Sequence, residues 1–127
     1  MMEKCLMKRG FLAAGLALSL AFAAPASAQR SGTYDITGSN PDGSAYTGTL
    51  VLEQIGLLSF RLQWTIGPDV IDGVGMVSGL SFATAFSLGG GSSPSMGIYE
   101  LRPNGQLVGQ WTTIGAFAAG QETATPR

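Results

Sequence analysis

The chain has 127 residues, a formal net charge of −1, 12 % charged residues, no histidine and one cysteine. Beyond residue 28, Arg30, Arg61, Arg102 and Arg127 stand against Asp35, Asp42, Glu53, Asp69, Asp72, Glu100 and Glu122, so clustered positive charge and a nucleic-acid surface are excluded. The same region holds no Cys, His or Lys, which removes Ser–His and Ser–Lys nucleophiles, thiol chemistry, Schiff bases and ordinary zinc sites.

In chain order, the first segment reads as a secretory signal peptide over residues 1–28. Met1 to Gly10 carries Lys4, Lys8 and Arg9, Phe11 to Ala24 is apolar, and Ala26-Ser27-Ala28 is an Ala-x-Ala cleavage site. Fourteen apolar residues fall short of the ~20 needed to span a bilayer. Cys5 precedes the apolar run, whereas an acylated Cys would follow it, so no lipid anchor is expected. The reading is a periplasmic or extracellular protein with one domain over 29–127 and no membrane span in the mature chain.

Thr33 to Thr37 predicts a first strand with Tyr34 and Ile36 on one face, and Gly38 to Ser44 a turn around Pro41 and Gly43. Tyr46 to Ile55 predicts the second strand, with Tyr46, Gly48, Leu50 and Leu52 sharing a face. Leu58 to Ile66 alternates without a break, and a slip of one residue would bury Arg61 and expose Trp64. Val70 to Ser78 is extended but interrupted by Gly73 and Gly75, positions that suggest a bulge or bend.

Leu80 to Leu88 places Leu80, Phe82, Phe86 and Leu88 inward, with Thr84 the one polar residue on that face. Gly89 to Pro94 reads as a flexible hairpin loop. Met96 to Arg102 is a sixth strand, Leu107 to Ile114 a seventh with Leu107, Gly109 and Trp111 together, and Gln121 to Thr125 a candidate eighth. Ala116 to Ala119 has the composition for a single helical turn.

Strands at this spacing with Gly or Pro turns predict an all-β, up-and-down antiparallel meander of seven to eight strands. Closure, or near closure, as a barrel is expected because the chain has few charges with which to protect open sheet edges. Pro41-Asp42-Gly43 followed by Tyr46-Thr47-Gly48 echoes Pro103-Asn104-Gly105 followed by Leu107-Val108-Gly109, as hairpin turn chemistry alone would produce.

Paired carboxylates are the surviving catalytic option. Asp69 lies in a Gly-Pro-Asp turn suited to capping. Asp72 shares a face with Val70, Val74 and Met76; inward, it would need Arg61, Arg102 or hydroxyls as partners, and a bulge at Gly73 or Gly75 would instead turn it to solvent. Gly73-Val-Gly75 lacks a phosphate loop's third glycine and helix, and Asn40 with Asp42 lacks the later ligands of a calcium loop. No catalytic residue, metal site or cofactor is assigned. The aromatic residues are the best candidates for recognition: core packing is the expected use of most of them, and the ligand-binding reading, for Tyr34, Tyr46, Trp64, Tyr99 and Trp111, concerns the mouth of a barrel with room for a small ligand.

The residues Gly32-x-Tyr34, Asn40-Pro41-Asp42-Gly43-Ser44-x-Tyr46-x-Gly48, Trp64-x-x-Gly67, Gly73-x-Gly75, Gly105-x-Leu107-x-Gly109-x-Trp111 and Gly120-x-Glu122 resemble a family of small exported bacterial proteins often labelled fibronectin-binding proteins. Ala124 departs from it, standing where that pattern has a larger apolar residue. The resemblance implies a β-fold and surface adhesion, with an envelope or extracellular protein as partner, and names no binding residues. The sequence therefore supports an exported, non-enzymatic binding or adhesion module. The alternatives are a barrel of lipocalin or avidin type for a small apolar ligand, and a carboxylate enzyme on glycans built on Asp72. An outer-membrane barrel is disfavoured by Ser59, Arg61, Gln63 and Thr65 on the outer face of the third strand.

Overall fold

The computed structural model describes residues 31–127; the segment read as a signal peptide lies outside them. Eight strands follow one another: β1 Gly32–Ser39, β2 Ala45–Gln54, β3 Ser59–Ile66, β4 Asp69–Ser78, β5 Ser81–Leu88, β6 Ser93–Leu101, β7 Leu107–Thr113 and β8 Gly120–Pro126. Each pairs antiparallel with the next, and β1 pairs with β8 from Tyr34↔Pro126 to Ser39↔Gln121, closing the barrel. The all-β meander is thus complete, with all eight strands and full closure. A short 3₁₀ turn, Gly89–Gly91, joins β5 to β6.

Period-two alternation sets the inside and outside. In β3, Phe60, Leu62 and Trp64 are buried while Ser59, Arg61, Gln63 and Thr65 face water. Tyr34, Ile36, Leu50, Leu52, Phe82, Tyr99, Leu107 and Ala124 complete the core. Each large apolar side chain buried there stabilises the fold by about 1.5–3 kcal/mol. At the end where β1 begins and β8 finishes, Leu52, Leu62, Phe82 and Leu107 are almost wholly inaccessible.

Several local expectations are corrected. Leu80 sits in the β4–β5 turn, 69 % exposed, because β5 begins one residue after it. Residues 116–119 form no helical turn and belong to the irregular β7–β8 connection. The β3–β4 register runs unbroken from Ser59↔Met76 to Ile66↔Asp69, so Gly73 and Gly75 make no bulge. They lie on the inner face with Ile71 and Val77, and the whole face carrying Val70, Asp72, Val74 and Met76 points outward. Space explains this choice. A Cβ on Gly73 would lie 2.8 Å from the Trp64 ring, and one on Gly75 would collide with the Phe82 ring. The aromatic rings of β3 and β5 fill the volume that side chains on β4 would otherwise take.

No helix among the described residues is long and apolar enough to cross a membrane. The arginines of the described residues pair on the surface, Arg61 with Glu53 at 3.4 Å, Arg102 with Glu100 at 3.4 Å and Arg127 with Asp35 at 2.9 Å. None points into the barrel.

Candidate functional site

The end of the barrel opposite the termini is not filled. Here the β1–β2, β3–β4, β5–β6 and β7–β8 connections surround a cavity of about 250 Å³. Its walls are Trp64, Ile66, Ile71, Phe86, Leu88 and Trp111, with Asn40 and Asp69 also lining it. Tyr46, Tyr99 and Glu122 supply its polar groups. The aromatic rings are in mutual contact: Trp64 to Phe86 at 5.0 Å between centroids, Phe86 to Trp111 at 6.1 Å and Tyr46 to Trp111 at 6.5 Å.

Glu122 organises this chemistry. It is 4 % exposed, and three side chains from three other strands donate to its carboxylate. The Tyr46 hydroxyl reaches Oε1 at 2.7 Å; the Tyr99 hydroxyl and Trp64 Nε1 reach Oε2 at 2.7 and 3.1 Å. Trp111 Nε1 donates to the Tyr46 oxygen at 3.0 Å and so adds a second layer. The donors are neutral, and among the described residues no Arg, Lys or His lines the cavity.

The strand register builds this arrangement. Across the sheet, Tyr46 pairs with Gly38, Gly38 with Glu122, Glu122 with Gly109, and Gly109 with Tyr99. Glu122 therefore has a glycine on either side and a tyrosine beyond each one. A Cβ at Gly38 would lie 2.6 Å from the Tyr46 hydroxyl, so only glycine lets that ring lean across β1 to the carboxylate.

Burial raises the pKa of both tyrosine hydroxyls, and the negative charge of Glu122 raises it further. Both hydroxyls therefore stay protonated at any physiological pH and act as permanent donors.

Four of the five residues read from sequence as ligand-binding, Tyr46, Trp64, Tyr99 and Trp111, meet around Glu122. Tyr34 is corrected. It is 2 % exposed and lies two inward positions below the mouth along β1, beneath Ile36 and Gly38, where it packs in the core. Of the two orientations open to Asp72, the structure has the solvent-facing one, reached without a bulge, and the carboxylate accepts a 3.0 Å hydrogen bond from Gln63 Nε2. That placement takes it out of any internal site. Asp42 is occupied by its own turn: the Ser44 hydroxyl and amide donate to Oδ1 at 2.6 and 2.9 Å and hold the carboxyl below its usual range.

The residue that sequence reasoning missed is Glu122. Its parity was readable, because β8 places Gly120, Glu122 and Ala124 inward. An acid between two small residues on an inward face marks a polar group given room.

No family model matches the sequence, and no curated protein matches it by sequence. Solved structures share the fold. A redesigned β-barrel aligns with TM-score 0.64 at 20 % identity, covering 81 % of this chain and 95 % of the other. A redesigned β-barrel, mFAP1, bound to DFHBI, aligns with TM-score 0.59 at 19 % identity over 76 % and 94 % of the two chains. A point mutant of the fluorescent protein UnaG aligns with TM-score 0.51 at 14 % identity over 76 % and 95 %. By these likenesses the chain is a closed, eight-stranded, small β-barrel.

Proposed function

We propose that this protein is an exported, non-enzymatic barrel that binds a small ligand in the open mouth. The observation that carries the reading is the cavity itself, where apolar walls converge on one buried carboxylate and its hydroxyl and indole donors. Small-ligand sites have that composition, with mostly apolar walls and a few placed polar groups. A volume of about 250 Å³ suits a compound of roughly ten non-hydrogen atoms. A structural neighbour bound to DFHBI uses the same kind of barrel, which supports this reading over surface adhesion. Adhesion rests on the sequence resemblance alone. An enzymatic role on glycans loses its motivating residue with Asp72 outside the barrel.

Trp64 and Trp111 are the chain's two tryptophans and both line the cavity, so their emission reports its occupancy. Native mass spectrometry of the protein purified from its own host should show a bound small molecule, and releasing it should change tryptophan emission. Ile71→Phe with Leu88→Phe, which narrows the mouth, should abolish both. A ligand retained equally by that variant would place binding elsewhere and sink the reading.

A further inference from the structure

We infer that the ligand is a small organic cation, an ammonium or amidinium group whose positive centre sits among the aromatic rings and donates to Glu122. The inference rests on the small-ligand reading of the cavity and names its chemistry.

Three observations carry it. First, Glu122 is a buried carboxylate whose protein partners among the described residues are all neutral. The arginines of the described residues are engaged on the outer surface. A buried charge is costly unless an opposite charge meets it, and Glu122 lines the cavity from which one could come. Second, the two carboxylate oxygens are unequally served. Oε2 takes two donors, Trp64 and Tyr99, while Oε1 takes the Tyr46 hydroxyl and keeps a lone pair for a further donor. Third, the surrounding walls are largely aromatic. Trp64, Phe86, Trp111 and Tyr46 line the same space, and desolvated cations bind aromatic faces through the ring quadrupole.

The charge balance of the lining decides the sign. Glu122 and Asp69 line the same cavity, with no cationic side chain among the described residues to offset them. An anionic ligand would meet a buried like charge, and a neutral one would leave the carboxylate without a counter-charge. A cation satisfies Oε1 and the rings together. An N–H on the cation is required for the bond to Oε1, so primary and secondary ammonium groups fit better than quaternary ones.

The test compares benzylammonium, benzyl alcohol and benzoate, three probes of nearly equal size that differ in charge. Binding is read by calorimetry and tryptophan emission at neutral pH. Benzylammonium should bind roughly 30-fold more tightly than benzyl alcohol, and benzoate weakest. Glu122→Gln should erase that preference. Asp69→Asn, an exposed position that does not threaten the fold, should weaken the cation alone by roughly twofold, and less at high salt. Benzyl alcohol or benzoate binding as tightly as benzylammonium would overturn the cation while leaving the small-ligand site standing. Failure of all three at millimolar concentration would overturn both.

Discussion

Replacing Glu122 by leucine should reverse the sign of what the Tyr99 hydroxyl does for stability. In the native chain, Tyr99→Phe removes a 2.7 Å bond to a carboxylate from a residue only 2 % exposed. A hydrogen bond to a charged group contributes about 1.5–3 kcal/mol, so Tyr99→Phe should destabilise by that amount. With Glu122→Leu in place the same hydroxyl has lost its acceptor. A buried hydroxyl without a partner costs about 1–3 kcal/mol, so Tyr99→Phe should then stabilise by about 1 kcal/mol or more. The coupling between the two positions is therefore about 3 kcal/mol.

Tyr46 gives the internal comparison. Its bond to Glu122 has the same length, 2.7 Å, but it is only half-buried at the open mouth, where water can replace the lost acceptor. Its coupling to Glu122 should fall to about 1 kcal/mol. Urea unfolding of the four chains in each cycle at neutral pH measures both. Tyr99→Phe effects that agree within about 0.5 kcal/mol in the two backgrounds would mean that the network contributes nothing, and a larger coupling for Tyr46 would mean that burial does not set the magnitude.

Three further outcomes follow from the same geometry. Gly38→Ala should destabilise by about 1–3 kcal/mol in thermal or urea melts, because its Cβ would force the Tyr46 ring off Glu122; the variant should also lose most ligand affinity. Thr84→Val should be neutral or stabilise by about 1 kcal/mol in urea melts, since Thr84 Oγ1 is buried with no hydrogen-bond partner among the described residues. Alkaline pH should destabilise the barrel. Tyrosines ionise near 10 in the unfolded chain, while Tyr46 and Tyr99 hold their protons to higher pH when folded. Above about pH 10 the unfolded state binds fewer protons, so stability present below that value is lost as pH rises. The urea midpoint of a chain carrying Tyr46→Phe and Tyr99→Phe should fall less steeply across that range, and an equal slope would refute the assignment.

The strands were legible because alternation is local. Leu58 to Ile66 contains in its own residues the information that Trp64 faces in and Arg61 faces out. β4 was harder, because its outward residues are Val70, Val74 and Met76 and its inward residues include Gly73 and Gly75. Read alone, the apolar set looks like the core face. Only the rings of Trp64 and Phe82, brought in from the neighbouring strands, show why glycine occupies the inside. Glu122 was hidden for a related reason. Its donors lie 76, 58 and 23 residues away along the chain, and no local pattern joins Tyr46, Trp64 and Tyr99 to one carboxylate. What joins them is register, the pairing of Tyr46, Gly38, Glu122, Gly109 and Tyr99 across five strands. Register depends on closure, and closure is a property of the whole chain.

Stability and recognition are separated along the barrel axis. The end with Leu52, Leu62, Phe82 and Leu107 is sealed and apolar and holds the strands together. The other end keeps a carboxylate from water, and burying a charge carries a desolvation penalty of several kcal/mol that its three hydrogen bonds must offset. An apolar residue at position 122, with phenylalanines at 46, 64, 99 and 111 so that no hydroxyl or indole N–H loses its acceptor, would occupy the same space without that penalty. The mouth therefore stabilises the fold less than its volume allows. A ligand that supplies the missing charge restores the difference, by about 2.7 kcal/mol when present at a hundred times its dissociation constant. The sealed end makes that arrangement tolerable, because its apolar packing is separate from the polar residues of the mouth, and the hydroxyl and indole donors are aimed at Glu122 by the strands themselves.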